Sequence, residues 1–307
     1  MSIPGATYLV TRTTVMSLFL LTPSRAVNQI MEYCIAWAAH GRGVLIHAVS
    51  IESNHFHMIV TDTEGKLSEF MQELNRTAAR CLVQHYGERF PSRRLDTVWT
   101  NARSFSATLL LTPNAMLDKL VYTLTNPVKD GLVRDYRKWP GFNTRPGDWL
   151  RGKRTVRRPS YYFKNTPDTL TYDIAPPAAL CESLDLAVQT VELHIRQAQD
   201  QAAVNLAAQG RGVLGARAVL ATQPFDAPTT QRPSGNLNPH LASGGDHDAL
   251  STAKQALKQF RQAYRTAWET FKRTAQAVFP GGTLLMRQRF GQRCEPRDAR
   301  WCMRASA

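Results

Sequence analysis

Between Thr7 and Val133 the chain alternates period-two hydrophobic stretches with helical ones, and that order limits the available folds more than any other feature. "TYLVTRTTV" (7–15) is rich in β-branched residues and reads as a strand. Thr22-Pro23 then opens a helix carrying Val27, Ile30, Met31, Cys34 and Trp37, which Gly41 stops. "GVLIHAVSI" (43–51) and "SNHFHMIV" (53–60) read as two strands, and Leu67 to Tyr86 as a second helix striped by Leu67, Phe70, Met71, Leu74, Ala78, Cys81 and Leu82. "SFSATLLL" (104–111) is a fourth strand, after which Thr112-Pro113 opens a third helix with Met116, Leu117, Leu120, Val121 and Leu124. The order βαββαβα implies an α+β, ferredoxin-like domain over residues 1–140, an antiparallel sheet with its helices on one face.

Strand alternation sends His55, His57 and Ile59 to one side and Phe56, Met58 and Val60 to the other. If the second set packs under helices, the two imidazoles occupy the open face. A shared face suits metal binding, and it equally suits two hydrogen-bonded structural histidines. In "VYTLTNPVKDGLV" (121–133), at ~100° per residue, Tyr122 and Asn126 fall opposite the apolar stripe and one turn apart. Asn126-Pro127 also fits an N-cap followed by proline in a new first turn.

Taken together, "SNHFHMIV" and "VYTLTNPVKDGLV" resemble the signature pair of the REP-associated tyrosine transposases, insertion-sequence-200-like relatives within the HUH (His-hydrophobic-His) single-tyrosine nucleases. The entry strand "YLVTRT", the hairpin "LIHAVSIESNHFH" and the helix "LSEFMQELNRTAARCLVQHYGE" keep the same order, so the resemblance covers roughly residues 7 to 140. It implies that His55, His57 and Asn126 bind a divalent cation, Mg²⁺ or Mn²⁺, and that Tyr122 is the nucleophile. The implied activity is cleavage and joining of single-stranded, hairpin or palindromic DNA through a 5′-phosphotyrosine. Two imidazoles and an amide oxygen would leave the cation its full charge for a phosphate. A phenol, with a reference pKa near ~10, needs its proton drawn off, and Lys119 stands one turn away to help.

Charge agrees with a polyanionic partner: 38 Lys and Arg against 24 Asp and Glu leave a formal +14. No stretch reaches the ~20 apolar residues of a membrane span, and no signal pattern opens the chain, so a cytoplasmic protein is expected, and the resemblance implies a bacterial, nucleoid-associated one. Cys34, Cys81, Cys181, Cys294 and Cys302 show no CxxC pairing and read as reduced thiols. Residues 141–183 form a basic, aromatic-rich connecting segment, in which Arg151, Lys153, Arg154, Arg157, Arg158, Tyr161 and Tyr162 combine phosphate-seeking charge with stacking surfaces for DNA. Residues 184–307 read as mainly helical, with helices at about 184–208 and 252–278 and a flexible loop at about 223–248. The tail adds Arg287, Arg289, Arg293, Arg297, Arg300 and Arg304. Two other classes stay open: a catalytically silent hairpin binder or repressor on the same scaffold, and a zinc hydrolase using the same histidines. Monomer and homodimer are equally compatible with the sequence.

Overall fold

The computed structural model describes residues 3–100, 105–229 and 240–295. Strand β1 (Ala6–Thr13) leads to α1 (Arg25–Ala39), which Ser24 caps by accepting from the Val27 amide at 3.1 Å. Such a cap stabilises a helix by about 1 kcal/mol. Strands β2 (Val44–Ile51) and β3 (His55–Asp62) form a hairpin, and the Asp62 carboxylate then accepts from the Lys66 and Leu67 amides to start α2 (Leu67–Arg89). Strand β4 (Ser106–Leu110) leads into α3 (Pro113–Lys129), where Thr112 caps the Ala115 amide and proline takes the first turn. Further on come β5 (Lys153–Arg157), β6 (Thr169–Asp173), α4 (Leu184–Ala208), α5 (Ala216–Ala221), β7 (His240–Ala242), α6 (His247–Thr274), β8 (Val278–Phe279), α7 (Leu284–Phe290) and β9 (Arg293–Cys294).

The main sheet has the order β2-β3-β1-β4-β7. Its first four strands are antiparallel, and β7 adds in parallel, pairing Thr108 with His240 and Leu110 with Ala242. The sheet is therefore mixed, not wholly antiparallel. The expectation of helices on one face is also corrected. Tyr8, Val10, Phe56, Met58 and Val60 pack under α1 and α2, while Leu9, Ala48, Ile59 and Leu110 on the opposite face pack under α3 and α4. The physical reason lies in those four apolar residues, because a face carrying them loses hydrophobic free energy if left in water. Its polar groups lie at the two ends, Thr7 and Thr61 at one and the histidines at the other.

Two other expectations change. The segment read as a flexible loop is docked at both described ends: Phe225 packs against Tyr86 and Phe90, and β7 joins the sheet. Residues 230–239 lie outside the described residues, as do Cys302, Arg297, Arg300 and Arg304. The connecting segment also holds a regular hairpin, β5–β6, whose inward Val156, Leu170 and Tyr172 are buried. Free thiols at Cys34, Cys81, Cys181 and Cys294 agree with the sequence, and no described helix is long and apolar enough to cross a membrane.

Close contacts from distant parts of the chain pin both the β2–β3 turn and the start of α6. The Trp139 indole donates to the Ile51 carbonyl at 2.8 Å, and a Cβ on Gly141 would lie 2.7 Å from that same oxygen, so glycine is required beside the β2–β3 turn. Just ahead of α6, Gly244 has φ +58 and a Cβ there would lie 2.6 Å from the Ala115 amide, while Thr112 donates to the Ser243 carbonyl at 2.8 Å.

His47 is a buried histidine with a structural role. A carbonyl only accepts, so its Nδ1–H donates to Ala175 at 2.7 Å, and neutral Nε2 then accepts from the Thr61 hydroxyl at 2.7 Å. Burial lowers its pKa to about 4. The unfolded chain takes up this proton below ~6.5, whereas the folded one resists until near pH 4. Stability is therefore full above pH 6.5 and falls on acidification, by about 3 kcal/mol from this group. Melting curves from pH 7 down to pH 4.5 should show a smaller decline for His47→Gln than for the wild-type chain; equal declines would refute the assignment.

Candidate functional site

The three residues between β2 and β3 carry a carboxylate into the core. Glu52 closes the turn, its amide donating to the His55 carbonyl at 2.8 Å, and its side chain is 2% exposed. Burying a carboxylate is costly unless it is paired or holds a cation. Glu52 Oε1 lies 3.6 Å from His55 Nε2, and candidate ligand atoms of Glu52, His55 and His57 all fall within 4.8 Å of one another. Two ligands about 2.1 Å from one cation, at a tetrahedral angle, are separated by roughly 3.4 Å, so the Glu52–His55 spacing fits shared coordination. Two imidazoles and one carboxylate form a donor set suited to a divalent metal. No cysteine joins this group among the described residues.

Neighbours fix the rings. Asn54 Nδ2 donates to the Ser17 carbonyl at 3.3 Å, which turns its Oδ1 toward His55 Nδ1 at 2.7 Å. Since Oδ1 only accepts, His55 carries its proton on Nδ1 and presents the Nε2 lone pair to the Glu52 side. His57 Nδ1 sits 2.8 Å from the Thr11 hydroxyl of the facing strand, in the register that pairs Thr11 with His57.

Helix α3 crosses this end of the sheet and runs unbroken through Asn126, with Pro127 inside its last turn. Asn126 is therefore not an N-cap. It is buried, and its Nδ2 donates to Glu52 Oε1 and lies 3.1 Å from His55 Nε2. The amide thus turns its nitrogen to Glu52. In this arrangement the amide oxygen implied as a ligand faces away from Glu52, and the Glu52 carboxylate is a further candidate donor beside the two imidazoles. Tyr122, expected on a displayed face, is half-buried against the site, with its ring centroid 5.2 Å from that of His57. His55 and His57 centroids are 4.9 Å apart. Lys119 and Lys129 hold their ammonium groups 5.7 and 5.1 Å from the Tyr122 ring centroid. Burial, then repulsion from Lys119, lowers the Lys129 pKa.

The basic segment is placed elsewhere. Its hairpin and the loop joining the two strands lie across α1 and α2, on the far side of the sheet from the histidines: Gln29 of α1 donates to the Arg157 and Arg158 carbonyls, and Tyr161 meets His85 of α2 edge to face. Arg154 pairs with Glu32 at 2.8 Å and Asp148 at 3.0 Å. Arg158 pairs with Asp168 at 2.5 Å and donates to the Lys164 and Thr166 carbonyls. The Tyr162 hydroxyl accepts from Arg76 and Arg80 at 3.0 and 2.7 Å. Arg151, Lys153 and Arg157 are exposed. Thus the structure joins His55, His57, Tyr122, Asn126 and Lys119, adds Glu52 and Lys129, and leaves residues 151–162 apart.

No protein-family model matches the chain, and no curated protein matches it. Among solved structures it is similar to a REP-associated tyrosine transposase bound to a REP hairpin, at 21% identity and a TM-score of 0.40, over 54% of this chain and 91% of that one. A likeness of that size carries no argument about activity. What fold and site define is an α+β protein with a Glu-His-His group able to hold a divalent metal.

Proposed function

We propose that the protein is a metal-dependent endonuclease and strand transferase acting on single-stranded or hairpin DNA. The observation that supports this best is the approach of Tyr122 to His57 within one chain, beside a group that can hold a cation. In this reading β2-β3-β1-β4 with α1 and α2 is the ferredoxin-like plan of an HUH nuclease, and α3 lays the nucleophile over its metal end.

Glu52, His55 and His57 would hold the cation, with the Asn126 amide orienting the carboxylate. The mixed nitrogen and oxygen set suits Mn²⁺ better than Mg²⁺. Such a cation supplies polarisation of the scissile phosphate. Tyr122 Oη bonds the phosphorus as the bond to the 3′ oxygen breaks; the phenolic proton passes to solvent, and the departing oxygen takes one up. The products are a 5′-phosphotyrosine and a free 3′-hydroxyl, and attack by another 3′-hydroxyl reverses the step. Lys119 and Lys129 stabilise the phenolate as it forms. Replacing either by Gln should slow adduct formation at pH 7 on the order of tenfold, measured in single-turnover reactions, with DNA binding reduced less.

The test is to incubate labelled hairpin DNA with the protein and Mn²⁺ and resolve covalent adducts under denaturing conditions. An adduct whose digestion leaves phosphotyrosine at Tyr122 supports the reading. Because Tyr122 meets His57 of its own chain, mixing His55→Ala with Tyr122→Phe protein should restore nothing. A second reading has its own support: Glu52, His55 and Asn126 already satisfy one another by hydrogen bonds, as a catalytically silent hairpin binder would allow. DNA binding without any adduct, with Mn²⁺ or Mg²⁺, would select it.

A further inference from the structure

Helix α6 carries a second feature, independent of the histidine site. Lys254, Lys258, Arg261, Arg265 and Lys272 follow one another at intervals of three, four or seven residues. At ~100° per residue they fall within about 60° of one another around the axis, and at ~1.5 Å per residue the stripe is roughly 27 Å long. All five are exposed. Glu269 is the one carboxylate between residues 254 and 273. Among the described residues none of Lys254, Lys258, Arg265 and Lys272 forms an ion pair.

A row of like charges destabilises its own helix unless something anionic covers it. The other side of α6 indicates what. Tyr264, Ala267, Trp268 and Phe271 pack with Phe279 and Met286, and Ala249 and Ala253 are buried. From Tyr264 to Phe271 the apolar edge that a membrane-surface helix would insert into lipid is thus already occupied by the protein itself, leaving Leu257 and Phe260 as its half-buried remainder. The exposed charge outweighs that remainder, at a spacing and length that follow several consecutive phosphates.

We propose that α6 is a nucleic-acid-binding element in its own right, gripping the sugar-phosphate backbone of DNA or RNA without reading sequence. Its partner chemistry is the phosphodiester, common to single strands and duplexes. Because the stripe owes nothing to the histidines, binding through α6 persists whether or not the protein cleaves.

The experiment uses the full chain in a Tyr122→Phe background. Binding of a short single strand without self-complementarity, and of the matching duplex, is followed by fluorescence anisotropy over a salt series. The variant Lys254→Gln, Lys258→Gln, Arg265→Gln, Lys272→Gln is compared with an equal charge loss elsewhere: Arg134→Gln, Lys138→Gln, Lys164→Gln, Arg217→Gln. Removing four phosphate contacts should flatten the slope of log K against log salt by about 3 on a single strand and weaken binding about a hundredfold, with little change in the control. The probe that loses more identifies the form bound. Equal losses in the two variants would reduce α6 to part of a general positive field and overturn the inference. So would unchanged DNA binding with lost binding to phosphatidylglycerol vesicles. Should the quadruple variant lose helicity, Lys254→Gln with Lys258→Gln, and Arg265→Gln with Lys272→Gln, carry the test, each pair taking half the slope. An unchanged slope leaves the catalytic reading intact, and a missing adduct leaves this one intact.

Discussion

Tyr122→Phe is expected to abolish the covalent DNA adduct while hairpin binding stays within about twofold of wild type. The substitution removes one oxygen and keeps the ring that packs 5.2 Å from His57, so neither the fold nor the metal group loses a packing partner. Deleting an attacking atom typically costs ~10⁴-fold or more, whereas losing one half-exposed hydroxyl costs stability about 1 kcal/mol at most. Single-turnover assays and thermal melts separate the two quantities. An adduct that survives in the Phe variant would place the nucleophile elsewhere; binding lost together with the adduct would make Tyr122 a contact residue.

Glu52→Gln should weaken Mn²⁺ binding on the order of a thousandfold. Removing a unit charge within about 4 Å of a dication forfeits several kcal/mol even at an effective dielectric near 20. Asn126→Ala should cost only about 10- to 100-fold, the usual loss when a residue that orients a ligand is removed. Direct titration with Mn²⁺ checks both. The reverse ranking would restore Asn126 as the ligand, acting through an amide turned over from its present orientation. Glu52→Gln keeps an acceptor for the Asn126 amide, so the comparison is made on folded protein.

The site was legible in the sequence where local periodicity determines geometry. Alternation in "HFHMIV" is enough to put His55 and His57 on one side, and helical spacing is enough to put Tyr122 and Asn126 on one turn. Glu52 was not legible, because a lone acid in a strand-to-strand turn is ordinarily solvated. It faces inward beside a strand end that Trp139 and Gly141, far along the chain, contact, and there the Asn126 amide meets it. The available signal was its place just before a histidine pair, in "IESNHFH". Charge was less informative for a related reason. Arg154 and Arg158 read as free cations until Glu32, Asp148 and Asp168 are brought to them by tertiary structure. Strand β7 is three residues of ordinary propensity, and nothing local specifies its parallel partner. Lys129 lies two turns from Tyr122 and was visible in the same spacing that gave Asn126.

The corner where Gly244 meets Ala115 ties the root of α6 to the root of α3. A strand drawn along α6 would pull on the anchorage at the start of the helix that carries Tyr122. Given the two proposals together, tension in bound nucleic acid would load the base of the helix that carries Tyr122, and the reach between grip and cut would be set by the protein, not by the slack of the strand.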